Sequence, residues 1–329
     1  MDCVVILNWK EPEKTIRCLQ SILRLNKKSL KVILCDNGSN DHSVIKIETW
    51  LSKNVEQNGI LGNRYKRVSE GSLDDLPAWP ELDIVLIENK KNYGYAGGNN
   101  VGIKFALERG CEIIWVLNND TEVAQDAYCA VRSAFQKDPC LGLAGSVLMD
   151  MSDRSVVQAY GGRINKITFT ATSVGAGELY RVGVEERKIK SIDYVIGASM
   201  FLRSEMVEEC GLLSEDYFLY FEEADYCYRL KDSKWNFGVV WESKVYHELG
   251  GSTSGGQSDL AQKLYIRNRA LFCKKYYPAR FPLFLLTLPI VWLKNILKGN
   301  KPVASYALKV MYLALRNKSI PIGIIEEVT

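Results

Sequence analysis

Short apolar runs alternate with stretches of helical periodicity through the first half of the chain, the pattern of a mainly parallel sheet flanked by helices. Strands are predicted over residues 4–7, 31–35, 83–87 and 112–117, with helices over 11–25, 41–51 and 99–109 between them. Ile16, Leu19, Ile22 and Leu23 fall on one face of the first helix, and Pro12 suits its first turn. Residues 52–80 are polar and irregular and read as a surface insertion, and 89–98 read as a loop. A helix over 125–137 and a strand over 141–148 follow, after which Gly161-Gly162 and residues 175–177 mark turns between antiparallel strands. Residues 222–230 are expected to be a helix, and 237–246 a strand leading to His247.

At 329 residues the chain accommodates one catalytic domain, 1–258, and a C-terminal extension, 259–329. A hydrophobic fraction of 47% with 25% charged residues excludes a disordered or fibrous class. Nine cysteines without a CxxC pair point to reduced, buried thiols and away from structural zinc. Met1-Asp2-Cys3 runs directly into Val4-Val5-Ile6-Leu7 without a signal-peptide pattern, so a cytoplasmic protein is expected. The net charge of +3 hides an asymmetry: residues 260–325 carry twelve Lys or Arg and no acid, whereas residues 1–259 sum to −7.

Three stretches carry chemistry. Asn118-Asn119-Asp120 ends the fourth strand, at the sheet edge where open α/β folds bind ligands. Asp120 there offers a hard oxygen donor suited to Mg²⁺ or Mn²⁺, or caps a following helix. Glu222-Glu223-Ala224-Asp225 places three carboxylates in four residues, which raises at least one pKa and suits a general base, or forms the acidic first turn that a helix dipole favours. His247, one of two histidines, precedes Gly250-Gly251 and can offer a neutral imidazole to a metal; His42 has the setting of a surface residue. The run Asn92-Tyr93-Gly94-Tyr95-Ala96-Gly97-Gly98-Asn99-Asn100 feeds a helix N-terminus and either cradles a nucleotide or phosphate or is a tight connection; it is neither GxGxxG nor a P-loop.

In order and spacing these pieces resemble the family 2 glycosyltransferases of the GT-A fold, particularly the rhamnosyltransferase-like branch. The resemblance runs from Val5-Ile6-Leu7-Asn8-Trp9 through Asp36-Asn37-Gly38-Ser39, the 92–100 run, Asn118-Asn119-Asp120, Gly197-Ala198-Ser199-Met200, the acidic helix and His247 to Tyr265-x-Arg267-Asn268, over most of residues 3–275. It implies a Rossmann-like mixed sheet, with a nucleotide-sugar half over about 1–120 and an acceptor half over about 121–258. It implies donor contacts from Asn8, Asp36, Asn92, Gly94, Gly97, Asn99, Asn118 and Asn119, a divalent metal (Mg or Mn) on Asp120 and His247, and Glu223 as catalytic base. Glu222, Asp225, Arg267 and Asn268 would support the acceptor side. Asn-Asn-Asp is less acidic than the family's metal motif, and Glu223 is one methylene longer than its usual Asp. The expected function is inverting, metal-dependent transfer of a sugar, with dTDP-rhamnose the preferred donor, to a glycan or lipid-linked glycan in polysaccharide and cell-envelope synthesis. Alternatives are a nucleotidyltransferase on a related scaffold, which would be expected to carry glycine and basic residues after the first strand where this chain has Asn8-Trp9-Lys10-Glu11, and a non-catalytic glycan-binding or scaffold protein.

Arg267, Asn268, Arg269, Lys274 and Lys275 fall on an expected helix that can close over the diphosphate or acceptor side. Beyond it, residues 281–293 are apolar, short of the roughly 20 that span a bilayer, contain two prolines and are followed by Lys294, Lys298 and Lys301. This suits an interfacial helix on the inner face of the cell membrane; the alternative is a helix packed on the domain or in a homodimer interface. Nucleic acid is a poor partner, because the basic residues are interleaved with aliphatic ones.

Overall fold

The first strands are apolar at successive positions through their middles, which a sheet requires when helices cover both of its faces. Val4, Ile6, Val32 and Leu34 pack into one core layer and Val5, Ile33 and Val85 into the other. The computed structural model describes residues 1–58, 65–76, 83–181, 191–248, 258–316 and 318–320.

The chain begins with β1 (Asp2–Asn8), α1 (Pro12–Arg24), β2 (Leu30–Asp36), α2 (Ser43–Asn58), β3 (Tyr65–Ser69) and β4 (Ile84–Glu88). It continues through α3 (Gly94–Glu108), β5 (Ile113–Asn118), β6 (Thr121–Val123), α4 (Ala127–Lys137) and β7 (Leu141–Asp150). Next come β8 (Val157–Ala159), β9 (Gly161–Ile164), β10 (Ala171–Val174), β11 (Ser199–Arg203), α5 (Ser204–Cys210), α6 (Glu222–Leu230) and β12 (Asn236–His247). The C-terminal part is helical: α7 (Asp259–Tyr276), α8 (Phe281–Leu285), α9 (Leu288–Leu297) and α10 (Lys301–Leu315). The main sheet runs β3-β4-β2-β1-β5-β11-β7-β12-β6, with β8 on β7, and β9 and β10 form a separate ribbon. β1 pairs in parallel with both β2 and β5, and β11 is inserted antiparallel between β5 and β7. Helices α1, α2 and α4 cover one face; α3, α6 and α7 pack on the other.

Several expectations are corrected. Residues 52–80 are not simply an insertion: α2 extends through Asn58 and β3 adds a parallel edge strand, and the rest of that stretch lies partly outside the described residues. α3 starts at Gly94, not Asn99, because the glycines permit a close approach: a Cβ on Gly98 would lie 2.7 Å from Leu7 Cδ1 of β1. Gly161 and Gly162 lie inside β9, where the Ile192 side chain and the Tyr194 ring respectively fill the space a side chain would need. Of the nine free cysteines, Cys129 and Cys140 are exposed. The apolar run 281–293 sits within a longer helical stretch: Pro278–Leu297 is 20 residues long and contains an 18-residue window of mean hydropathy 1.4, enough by length and composition to cross a membrane.

Candidate active site

From β1 the chain crosses to β2 on one side and returns through β5 on the other, so the carboxyl ends of β1 and β5 diverge into a crevice. A cavity of about 880 Å³ opens there. Trp9, Asn37, Asn92, Gly94 and Tyr95 line it from the β1, β2 and α3 side, and Asn118, Asn119 and Asp120 from the end of β5. The N-terminus of α3 faces this space, held by Asn92, whose Oδ1 accepts from the Gly94 N–H at 2.8 Å and the Asn37 amide at 2.9 Å. Gly94 has φ +73°, and a Cβ there would lie 2.4 Å from the Phe218 carbonyl oxygen, which accepts the Tyr95 N–H at 2.6 Å.

Asp120 and His247, 127 positions apart in sequence, meet because β6 and β12 pair antiparallel with Thr121 opposite His247. Asp120 leads into β6, so the helix-capping alternative is excluded. Its Oδ1 is buried, has no hydrogen-bond partner, and lies 3.3 Å from His247 Nε2. Burial pushes the Asp120 carboxyl up, but His247 and Lys14 outweigh it and hold the carboxyl below its usual range. On the far side of the ring, His247 Nδ1 is 2.6 Å from Gln158 Oε1, whose amide nitrogen points to the His247 carbonyl at 3.5 Å. An acceptor at Nδ1 favours a proton there, and when Nε2 carries none it is free to take a cation beside Asp120. Two acceptors facing each other, one an orphaned buried carboxylate oxygen, fit a divalent cation. Among the described residues no group of three or more His, Cys, Asp or Glu is assembled around a cation position, which accords with Mg²⁺ or Mn²⁺ taking few protein ligands and completing its shell with phosphate and water. Gln158 escaped the sequence reading, since nothing local in β8 marks it as a partner of His247. The Gly250-Gly251 segment expected beyond His247 lies outside the described residues.

Glu222, Glu223 and Asp225 all fall in the first turn of α6, yet the fold separates them. Asp225 is fully buried and bound to Arg229, Lys275 and the hydroxyls of Tyr217 and Tyr276, a structural hub remote from the cavity lining. Glu222 is buried, with Oε2 unpartnered; burial, and then the neighbouring Glu223 charge, push its carboxyl well above the ordinary range. Burial also raises Glu223, outweighing the backbone amides that pull the other way. Glu223 lines a smaller cavity of about 70 Å³, separated from the large one by Tyr220 and Tyr265, which line both. The charges of Glu222, Glu223 and Asp120, after burial, push the Tyr95 hydroxyl up, so the acidic helix and the β5 edge act on a single ring.

Other expected site residues sit behind this lining. Asn8 and Asp36, opposite one another in β1 and β2, bind each other, with Asn8 Nδ2 2.6 Å from Asp36 Oδ1, and Ser39 donates to Asp36. Gly97 and Asn99 lie in the first turns of α3 and face away from the cavity. Arg267 and Asn268 do not close over the cavity. Arg267 Nη1 donates to the Asp216 carbonyl at 2.6 Å, and Asn268 Nδ2 lies 2.8–2.9 Å from the carbonyls of Tyr217, Leu219 and Tyr220. Lys275 points to Asp225, and of the basic residues on α7 expected to close over the site, Arg269 is the one that reaches the cavity lining.

No protein-family model matches the chain. Among curated proteins it is 26% identical over 236 residues to the low-salt glycan biosynthesis hexosyltransferase Agl10 of Haloferax volcanii, covering 66% of this chain and 72% of that protein. It is 21% identical over 191 residues to the dTDP-rhamnosyl transferase RfbF of Shigella flexneri, covering 58% of this chain and 59% of that one. Among solved structures it is similar to the mannosyltransferase PcManGT of Pyrobaculum calidifontis in complex with GDP-Man and Mn²⁺, with a TM-score of 0.53 at 13% identity over 99% of this chain and 78% of that one. It is also similar to GalNAc-T7 with UDP, GalNAc and Mn²⁺, with a TM-score of 0.54 at 15% identity over 81% of this chain and 47% of that one. These structures share the fold: a mostly parallel sheet flanked by helices.

Proposed function

We propose that this protein, a glycosyltransferase of the GT-A fold, moves a sugar from a nucleotide diphosphate to a hydroxyl of a glycan acceptor with inversion at the anomeric carbon, and that the donor is dTDP-rhamnose. The observation that carries the reading is the buried Asp120 Oδ1 without a hydrogen-bond partner, facing His247 Nε2 in the cavity at the carboxyl ends of β1 and β5. The likeness to RfbF supports rhamnose, and the likeness to Agl10 a glycan acceptor, free or carried on a lipid.

The residues divide the work by position. Asp120 and His247 would hold a divalent cation, Mg²⁺ or Mn²⁺, which supplies positive charge to the diphosphate leaving group. The positive end of the α3 dipole lies at the same cavity and favours an anion there, while the N–H groups of Tyr93, Gly94 and Tyr95 are already bound to Asn37, Asn92 and the Phe218 carbonyl. Asn118 and Asn119 offer amides at the β5 edge that orient the donor without adding charge. Glu223 takes the proton of the acceptor hydroxyl as that oxygen attacks the anomeric carbon; the carbon–oxygen bond to the diphosphate breaks in the same displacement, and the diphosphate leaves with the electron pair. A carboxyl raised by burial holds that proton more firmly than a solvated one, which suits a base working near neutral pH. Tyr220 and Tyr265 line both the small cavity that holds this carboxyl and the large one, and mark the side from which an acceptor hydroxyl would approach it.

Calorimetric titration with dTDP-rhamnose, UDP-sugars and GDP-mannose, each with Mn²⁺ and with EDTA, tests the reading. Binding of dTDP-rhamnose that requires Mn²⁺ and disappears in Asp120→Ala is the expected result. Preference for another nucleotide sugar replaces rhamnose; a folded protein that binds none of them points to the non-catalytic alternative.

A further inference from the structure

The C-terminal helices present apolar side chains outward as well as inward. Along α8 and α9, Phe284, Leu288, Val291 and Asn295 turn toward the protein, and Val291 and Asn295 form part of the wall of the large cavity. On the opposite face Leu286, Ile290, Leu293 and Leu297 follow one another at helical spacing and are exposed, Leu286 at 70% and Leu297 at 78%. The neighbouring α10 repeats the arrangement, with Leu308, Tyr312 and Leu315 exposed over a buried face of Val303, Ala307 and Val310. A water-facing helix normally carries polar residues on its outer side. These two carry a continuous apolar surface bordered by exposed Lys294, Lys298, Lys301, Lys309 and Arg316, within a segment without a single acidic residue from 260 to 325.

We propose that the outer face of α8, α9 and α10 docks on an anionic lipid bilayer, lying in its interface with the apolar stripes in the acyl boundary and the basic rim on the headgroups. Charge selects this occupant: a second copy would set the same uncompensated positive rim against itself, whereas anionic headgroups neutralise it. The 20-residue stretch is long enough to cross, but its packing argues against a spanning helix: Phe284 and Leu288 are buried in the core and Asn295 lines the cavity, so the stretch is held to the protein along one side. Because the docked helix is also a cavity wall, docking brings the cavity alongside the lipid surface, and an acceptor anchored in that surface reaches the site without leaving it. Docking rests on the surface alone and stands whatever the cavity binds.

Co-sedimentation of the full chain with phosphatidylglycerol-containing vesicles, against pure phosphatidylcholine vesicles, reads the proposal. Binding to the anionic vesicles should exceed binding to neutral ones by at least tenfold and weaken with salt. Neutralising two basic residues in Lys294→Gln with Lys298→Gln should weaken it about 25-fold, from about fivefold per charge. Leu286→Glu with Leu297→Glu should abolish it, while the melting temperature and nucleotide binding stay unchanged, since both side chains point away from core and cavity. Equal binding to both vesicle types, no binding, or a concentration-dependent dimer that the same glutamates break would each overturn the proposal. Failure of the wild-type protein to bind any nucleotide sugar would strike the transferase reading and leave the vesicle result standing.

Discussion

Glu223 is set apart from Asp120 and His247 by the rings of Tyr220 and Tyr265, and that separation makes its role testable. Glu223→Gln keeps the shape and removes the base, so the transfer rate should fall by about 10²–10⁴ while donor affinity changes by less than about tenfold. A larger loss of donor affinity would place Glu223 in the donor site. Gln158 makes the complementary case, acting on His247 without facing the donor. Gln158→Leu removes the acceptor that fixes the Nδ1 proton, and Mn²⁺ affinity, read by electron paramagnetic resonance, should drop about 10–100-fold. Gln158→Glu, which restores an acceptor, should recover most of it; unchanged affinity in the Leu variant would leave Gln158 as packing. Glu222 bears on stability instead. Its folded pKa is raised above the ordinary 4.5, so the unfolded chain gives up this proton first and stability declines as pH rises from there. The melting temperature of Glu222→Gln should therefore gain on the wild type as the pH rises above the ordinary carboxyl range. A gap that does not vary with pH would mean that Glu222 is not the buried, protonated group.

Among elements, the segment between α5 and α6 makes the largest demand on its surroundings. Phe218, Tyr220 and Phe221 adopt positive φ of 61°, 70° and 77°, a conformation that costs about 1–3 kcal/mol at each non-glycine residue. Asn268 meets that demand by facing three of the segment's carbonyls, and the Tyr95 N–H takes a fourth. Asn268→Ala should thus cost about 1–3 kcal/mol, seen as a lower denaturation midpoint, and should also weaken ligand binding, because Phe218 and Tyr220 line the cavity. Lost stability with unchanged binding would show the segment holding its shape without Asn268. None of this is visible in the sequence, where Tyr265-x-Arg267-Asn268 reads as a polar helix face: the carbonyls it serves are turned toward it by backbone angles that no local pattern encodes. Strands buried on both faces were legible because burial leaves uninterrupted apolar runs, and α6 was legible because its acidic start and apolar face coincide. β3 was missed because an edge strand with Lys66 and Arg67 exposed lacks that signal. β11 was missed because its place between β5 and β7 depends on pairing with residues far away in the chain. Asp120 and His247 could be named from residue type and position, but their meeting required the β6–β12 register, and Gln158 could be found only after that.

For the whole molecule, the charge boundary near residue 260 does not coincide with a boundary in the packing. Phe284, Leu288, Val303, Tyr306 and Val310 of the basic extension belong to the same core layer as Val5, Ile33 and Phe105 of the sheet and α3. The Arg267 guanidinium donates to the Ile320 carbonyl at 3.0 Å, which ties the end of the extension back to α7. A basic tail hung on an acidic body would melt separately; an extension that completes the core cannot. Calorimetry of the full chain should show one transition with calorimetric and van't Hoff enthalpies in agreement, and a chain cut after Tyr276 should fail to reach a cooperative native state, because Phe272, Cys273 and Ala270 would lose the apolar cover that α8 and α10 provide. Two resolved transitions, or a shortened chain that melts cooperatively and still binds nucleotide, would make the extension a separate module.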